Sequence, residues 1–354
     1  MRQNGSGALY KMQQEYADIG GLRVNFQRTC RVPEGKLNSL PAGLGSFPVF
    51  RVSDFRSGAP KEWRDDGFFM PMYRQEAMWI NFRRGYAEHP KAVIVGAGNI
   101  NAISGKPFDP SKDPNAKDEE KREKEGELVI KLEKDQNYLV VPPQPWLDGW
   151  KAEDGKIYQF VAAEMGSGET VEGQITGEET AGGIQLIVYD PKPGQNLIPE
   201  TRPNEYLEGG SWGSGGFKGL GLGDMELCCL SFSDESSVRS RGATRGGGEP
   251  VRAVRNMGLG RGGSIEQKIY PDPHGIEVWK ETPTAVEMIY LVSSEDFKQV
   301  TGHEAPPTPV TYEKYQQMGL PWFGIHDGKL GDTKGSCIFD KLKPVGEGKA
   351  KEEE

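Results

Sequence analysis

Histidine and cysteine are both scarce, with four of each among 354 residues. His89, His274, His303 and His326 lie far apart, and no two stand at the spacing a metal site uses. Cys30, Cys228, Cys229 and Cys337 are too few and too scattered for a disulfide scaffold. Cys228 and Cys229 are adjacent, so on a strand they face opposite ways and cannot share one tetrahedral site. No metal and no cofactor is expected. Two readings of the thiols stay open: buried reduced cysteines, or exposed ones, Cys228 and Cys337 foremost, that crosslink copies of the chain.

Long apolar runs are missing as well. Ala92–Ala97 and Val286–Val292 are only strand-length, so no membrane helix is expected. Met1–Gly7 has no apolar core, so no secretory leader is expected, and the chain reads as soluble and intracellular, cytoplasmic by default. An excess of basic charge is also absent. The net charge of -9 argues against a whole-protein footprint on nucleic acid. Sustained helical patterning is lacking too, because 48 glycines and 25 prolines leave little room for a helical bundle.

Catalytic motifs fail on context. Val93-Ile-Val-Gly-Ala-Gly98 begins like a dinucleotide-binding turn, but Asn101 holds the third small position and no helix can follow through Gly105 and Pro107. A strand that ends in a glycine turn is expected there instead. Gly209-Gly-Ser-Trp-Gly213 has the letters of a nucleophile elbow without the helix that must follow it. No glycine run leads into Gly-Lys-Ser/Thr, so no phosphate-cradling loop is present. Glu178-Glu179 reads as surface charge in a loop. No catalytic residue is assigned, although an enzyme of unrecognised type stays open.

What is present is strand signal. Residues 67–208 form a first β region with aromatic Phe69–Phe82 and β-branched Ala92–Val95. Within it, 12 of the 17 residues from Asp109 to Glu125 are charged, which reads as a solvated loop. Glu153-Asp-Gly155 joins Trp146–Trp150 to Lys156–Ala162 as a hairpin, since Asp-Gly suits a tight turn. A second hairpin is expected to run Thr170–Thr176 against Ile184–Val188. A second β region, 264–340, should hold a hairpin from Ile265–Tyr270 through Pro271–Gly275 to Ile276–Trp279, then a strand at Val286–Val292. Short helices are expected at Glu295–Val300, capped by Ser294, and at Tyr312–Met318, capped by Thr311. Ala305–Pro309 reads as a stiff extended connector. Residues 1–66 look weakly organised, with a helix around Leu9–Ala17 stopped by Gly20-Gly21, and 341–354 look like a disordered charged tail. Period-2 alternation implies one wet and one buried face. The expected class is mainly β: an antiparallel sandwich, or two packed β modules, with a few short helices and long glycine-rich loops.

Residues 209–263 stand apart. Glycine fills 8 of the 15 positions from Gly209 to Gly223, and Arg239, Arg241, Arg245, Arg252, Arg255 and Arg261 follow with Glu249 as the one acid between 239 and 261. A mobile cationic loop is expected, interrupted by a strand at Met225–Phe232. Such a loop suits nucleic acid or another polyanion. Docking on the protein's own acidic surface is the alternative. Trp146, Trp150, Trp212, Trp279 and Trp322 suit a sugar-stacking face if exposed, or core anchors if not.

Several phrases carry a resemblance. Gln144-Pro-Trp-Leu-Asp-Gly149, Gln159-Phe-Val-Ala162 and Gly168-Glu-Thr-Val-Glu-Gly-Gln-Ile-Thr-Gly177 come first, then Gly182-Gly-Ile-Gln-Leu186. Met257-Gly-Leu-Gly260, Gln267-Lys-Ile-Tyr-Pro271 and Gly319-Leu-Pro-Trp-Phe323 follow. Their order, over residues 67–325, resembles an uncharacterised family of bacterial and fungal proteins, some labelled "integral membrane protein". That label conflicts with the hydropathy. The family is in turn similar to octin, the matrix protein of fungal vacuolar crystals. The resemblance implies a structural, self-assembling role with the chain itself as partner, a vacuolar location if the likeness to octin extends that far, and no active site to carry over. A non-enzymatic self-assembling protein is therefore the leading expectation, with a polyanion- or carbohydrate-binding module second. No membrane partner is expected.

Overall fold

The computed structural model describes residues 14–83, 89–110, 130–153, 155–195, 197, 253–306, 311–323 and 331–346. The chain starts with β1 (Ala17–Ile19) and β2 (Leu22–Thr29), an antiparallel hairpin. Its turn is Gly20-Gly21, with φ of 54° and 86°, a conformation that glycine adopts without strain. The two glycines thus turn a hairpin rather than stop a helix, so Ala17–Thr29, in a segment expected to be weakly organised, is paired strand.

Short strands β3 (Leu37–Asn38), β4 (Leu40–Pro41) and β5 (Phe50–Arg51) come next, then β6 (Phe68–Met72) and β7 (Ala77–Arg83). β8 (Lys91–Ala97) turns at Gly98-Asn99 into β9 (Ile100–Asn101), so the expected strand and glycine turn are found. β10 (Leu139–Val141), β11 (Trp146–Leu147), β12 (Gly149–Lys151) and β13 (Lys156–Glu164) follow, and the β12–β13 hairpin turns through Gly155 as its sequence implies. The rest are β14 (Ile184–Tyr189), β15 (Asn256–Glu266), β16 (Ala285–Ser293) and β17 (Trp322–Phe323).

Fifteen of these strands join one sheet with the path β1-β2-β7-β13-β15-β16-β14-β8-β10. Every pairing on that path is antiparallel, and β3 on β15 and β6 on β16 are parallel additions. The fold is mainly antiparallel β, as expected. Strands from both expected β regions pair directly, β14 with β16 and the start of β13 with Ser264–Glu266 of β15, so they share a core. Alternate residues such as Phe26, Ile80, Val95, Leu186 and Leu291 meet in one large apolar cluster. Their neighbours on the other face are covered as well: Ala92, Ile94, Val140 and Ile187 pack with Phe108 and Trp279. All six residues of β14 are buried, which corrects the expectation of one wet face.

Three further expectations change. Thr170–Thr176 is helix α1 (Val171–Thr176), not a strand: the Thr170 hydroxyl accepts from Gly173 N–H at 3.0 Å and Gly177 ends the helix at φ 81°. The third hairpin does not form. Ile276–Val278 is a single 3-10 turn, and the intervening loop is pinned at Asp272, which accepts from Tyr138 and Trp279 at 2.7 Å each. Strand β15 starts at Asn256, inside the region expected to be loop.

Helix α2 (Phe297–Thr301) follows Asp296 and ends at Gly302, slightly later than its expected position. Helix α3 (Tyr312–Gln317) is capped by Thr311 as its sequence suggests. Residues 342–346, expected in a disordered tail, are packed on the sheet with Leu342 and Val345 buried. The charged stretch 111–129, the strand expected at 225–232, the connector from 307 and the tail from 347 lie outside the described residues. No helix among the described residues is long and apolar enough to cross a membrane.

Candidate functional site

Of the six arginines, Arg239, Arg241, Arg245 and Arg252 lie outside the described residues. The other two are held by the protein itself. Arg255 gives Nε to Asp296 at 2.8 Å, Nη1 to Glu164 at 3.2 Å and Nη2 to Glu295, and its backbone N–H also reaches Asp296. Its hydrogen bonds to the Asp296 and Glu295 carboxylates are the main reason its pKa is raised. Arg261 stands on β15 with its guanidinium 3.8 Å from the centre of the Tyr158 ring. Its Nη1 donates to the Leu342 carbonyl at 3.0 Å. These two residues take the docked arrangement, on the chain's own groups.

Cys228 and Cys229 are outside the described residues. Cys30 is buried and its thiol is pushed up to about 12 by that burial. Cys337 is a free, exposed thiol. Its neighbours are fixed: Ser336 N–H donates to the Lys151 carbonyl at 2.9 Å, and the Phe339 side chain is fully buried beside Trp150. Trp146, Trp150 and Trp279 are buried core anchors, not a sugar-stacking face. Trp322 is half-buried against Tyr312 and Tyr315, and Trp212 is outside the described residues.

A collection of charged groups surrounds the β6–β7 turn, Tyr73–Glu76. Gln75 takes a left-handed φ of 63°, and its N–H donates to Ala162 on β13. This strained turn carries Arg74 to one side and Glu76 to the other. On Arg74's side, a cleft of about 490 Å³ is lined by Glu164, Glu169, Gln174, Lys343 and the Met165–Gly168 loop. Arg74 pairs with Glu169 there at 3.4 Å. On the other side, a cleft of about 470 Å³ is lined by Arg31, Glu34, Gln75, Glu76 and Tyr312. Glu76 forms its floor, its carboxylate 3.1 Å from Arg28 and accepting from Tyr73 N–H at 2.8 Å. Burial outweighs both partners and raises the Glu76 pKa to about 7. Burial also lowers the Arg31 pKa, against the pull of Glu34 and Glu169.

Residues 342–346 border the first cleft, whose wall includes Lys343 and Pro344. Gln174 and Glu169 reach them from the first cleft, and Arg31 reaches them from the second. None of Arg31, Glu76, Glu169 or Gln174 is singled out by sequence reasoning. The one local signal was the Thr170 cap and Gly177 stop of α1, which place Gln174 on a helix. Chemically the arrangement grips a peptide backbone. Among the described residues no group of His, Cys, Asp and Glu is set to hold a metal ion.

No family model matches this chain, and the comparisons with curated proteins and with solved structures return no similar protein.

Proposed function

We propose that the chain is a structural unit that acts by associating with copies of itself, with Cys337 as the point of covalent fixing. The observation that carries this reading is the display of that thiol. It is exposed, yet it sits on a segment tied to β12 through Ser336 and anchored by Phe339. A thiol held in a fixed place can meet its counterpart on a second copy with little ordering cost.

Strand addition at the sheet ends is the less favoured route. The terminal strands β1 and β10 have three residues each, and β10 is buried throughout, so little edge is offered. A lasting disulfide needs an oxidising compartment. Covalent fixing therefore suits a vacuolar lumen, and non-covalent association suits the cytoplasm.

The test is a non-reducing gel after mild oxidation of two variants. Cys228→Ser/Cys229→Ser, which keeps Cys337, should give a linked dimer that reductant dissolves. Cys337→Ser should lose that species. Equal crosslinking by both variants, or by neither, would count against Cys337.

A further inference from the structure

Lys151 ends β12 with its side chain wholly buried. Among the described residues it is the one buried lysine. Its Nζ donates to Asp332 Oδ2 at 2.6 Å. The carboxyl is held from its other oxygen, because Ile269 N–H donates to Asp332 Oδ1 at 2.9 Å. Thr333 N–H donates to the Ile269 carbonyl at 2.8 Å, which fixes the next residue as well. The lysine backbone is pinned on both sides: its N–H donates to the Ala102 carbonyl at 2.7 Å, and its carbonyl accepts from Ser336 N–H at 2.9 Å. Gly335 lets the two segments meet, since a Cβ there would stand 1.9 Å from the Ala152 carbonyl oxygen. An amine and a carboxyl 181 positions apart in sequence are thus held against each other.

We propose that Lys151 and Asp332 condense into an amide, an isopeptide bond that ties β12 to the segment 331–336. The bond goes beyond the self-association reading and does not depend on it. The pair holds every atom the reaction needs. One proton passes from the Lys151 ammonium to Oδ2 along the hydrogen bond between them, leaving a neutral amine beside a carboxylic acid. The nitrogen lone pair then attacks Asp332 Cγ, and the carbonyl electrons move onto Oδ1. Ile269 N–H faces that oxygen and stabilises the charge that forms there. A second proton goes from Nζ to Oδ2, the Cγ–Oδ2 bond breaks, and Oδ2 leaves as water. Oδ1 becomes the amide carbonyl and still accepts from Ile269. The Asp332 side chain is 21% exposed, which gives the water a way out.

Burial favours the step. An ammonium closed off from solvent is costly, and burial lowers the Lys151 pKa against the pull of Asp332, with Lys268 adding to the effect. The amide removes both charges. Because the fold already sets the two groups in place, little entropy is lost in bringing them together. Lys91 and Asp190 make the contrasting pair. Lys91 keeps some exposure, and hydrogen bonds from Lys91, Thr284 and Lys280 outweigh burial and keep the Asp190 carboxyl ionised. Asp332 has Lys151 alone as its ion-pair partner among the described residues.

The test is mass spectrometry of the full-length chain, incubated folded at neutral pH and then denatured and reduced. The bond predicts a chain lighter than its sequence by the mass of one water. Trypsin should leave Lys151 uncut, within a branched peptide that joins it to Asp332. Lys151→Arg keeps the positive charge and should restore the full mass. It should also run more slowly than the parent on a denaturing gel, having no covalent loop. The branched peptide is read from the parent chain, so the test does not depend on the variant folding. A parent chain of full mass, cut by trypsin after Lys151, overturns the proposal and leaves an ion pair only. A loss of water that persists in Lys151→Arg overturns it as well. Reductant is present throughout, so neither result bears on the Cys337 reading.

Discussion

Gln174 treats Lys343 as a neighbouring strand would. Its Oε1 accepts from the Lys343 N–H at 2.7 Å while its Nε2 donates to the Lys343 carbonyl at 3.0 Å. One helix side chain thus satisfies both backbone groups of a residue 169 positions away. Each such bond contributes about 1 kcal/mol net. Gln174→Ala should therefore lower stability by about 1–2 kcal/mol, and amide exchange at Lys343 and Val345 should speed up while β13 amides keep their protection. Unchanged exchange at Lys343 would contradict the grip described.

Arg255 should behave as a structural residue. It gathers Glu164, Glu295 and Asp296, but Glu295 is largely exposed and adds little. The bond to Asp296, whose side chain is 9% exposed, carries most of the effect. Arg255→Ala should cost about 1–3 kcal/mol in urea unfolding. Lost polyanion affinity with unchanged stability would instead favour a binding role.

Two buried carboxyls set a pH dependence. Burial raises Asp148 from 3.8 to about 8, against a hydrogen bond from Trp146, and Glu76 from 4.5 to about 7. The folded chain thus holds protons that the unfolded chain releases. Their stabilising effect is complete below about pH 4 and is lost as pH rises through 7 and 8, by up to ~1.4 kcal/mol per pH unit for each group. Asp148→Asn should flatten the fall in urea midpoint between pH 5 and pH 8. An unchanged slope would mean that Asp148 is ionised in the folded protein.

Glu172 and Glu179 form reciprocal brackets. Glu172 on α1 accepts from the backbone N–H groups of Thr180, Ala181 and Gly182 at 2.7–2.9 Å. Glu179, in the loop so held, accepts in return from Gly168 and Thr170 N–H. Glu172→Gln loses at least one of these contacts and should cost about 1–2 kcal/mol. It should also raise the mobility of residues 178–182, read by NMR relaxation. A neutral substitution would show that the loop is held by other means.

Local chemistry was legible where a turn or cap decides the structure. The Gly155 hairpin and the Thr311 cap were both read correctly for that reason. Thr170–Thr176 was misread because Val171 and Ile175 fit a period of two as well as a helical spacing of four. The cap at Thr170 and the stop at Gly177 were the better signals. Strand β15 was hidden by glycines that suggested a loop. Gly260 and Gly263 are there because backbone presses close: a Cβ would meet the Glu169 carbonyl at 2.5 Å and the Pro33 carbonyl at 2.6 Å. The grip on residues 342–346 could not be read at all. Its members at 31, 169, 174 and 261 meet only through pairings far apart in sequence, such as β2 with β7 and β13 with β15.

The most direct test of self-association is absolute mass by light scattering across a concentration series, with and without reductant. The account predicts a dimer or larger species that grows with concentration under both conditions. Without reductant that species should become resistant to dilution, and Cys337→Ser should remove the resistance. A single chain's mass at every concentration and in both redox states would contradict it.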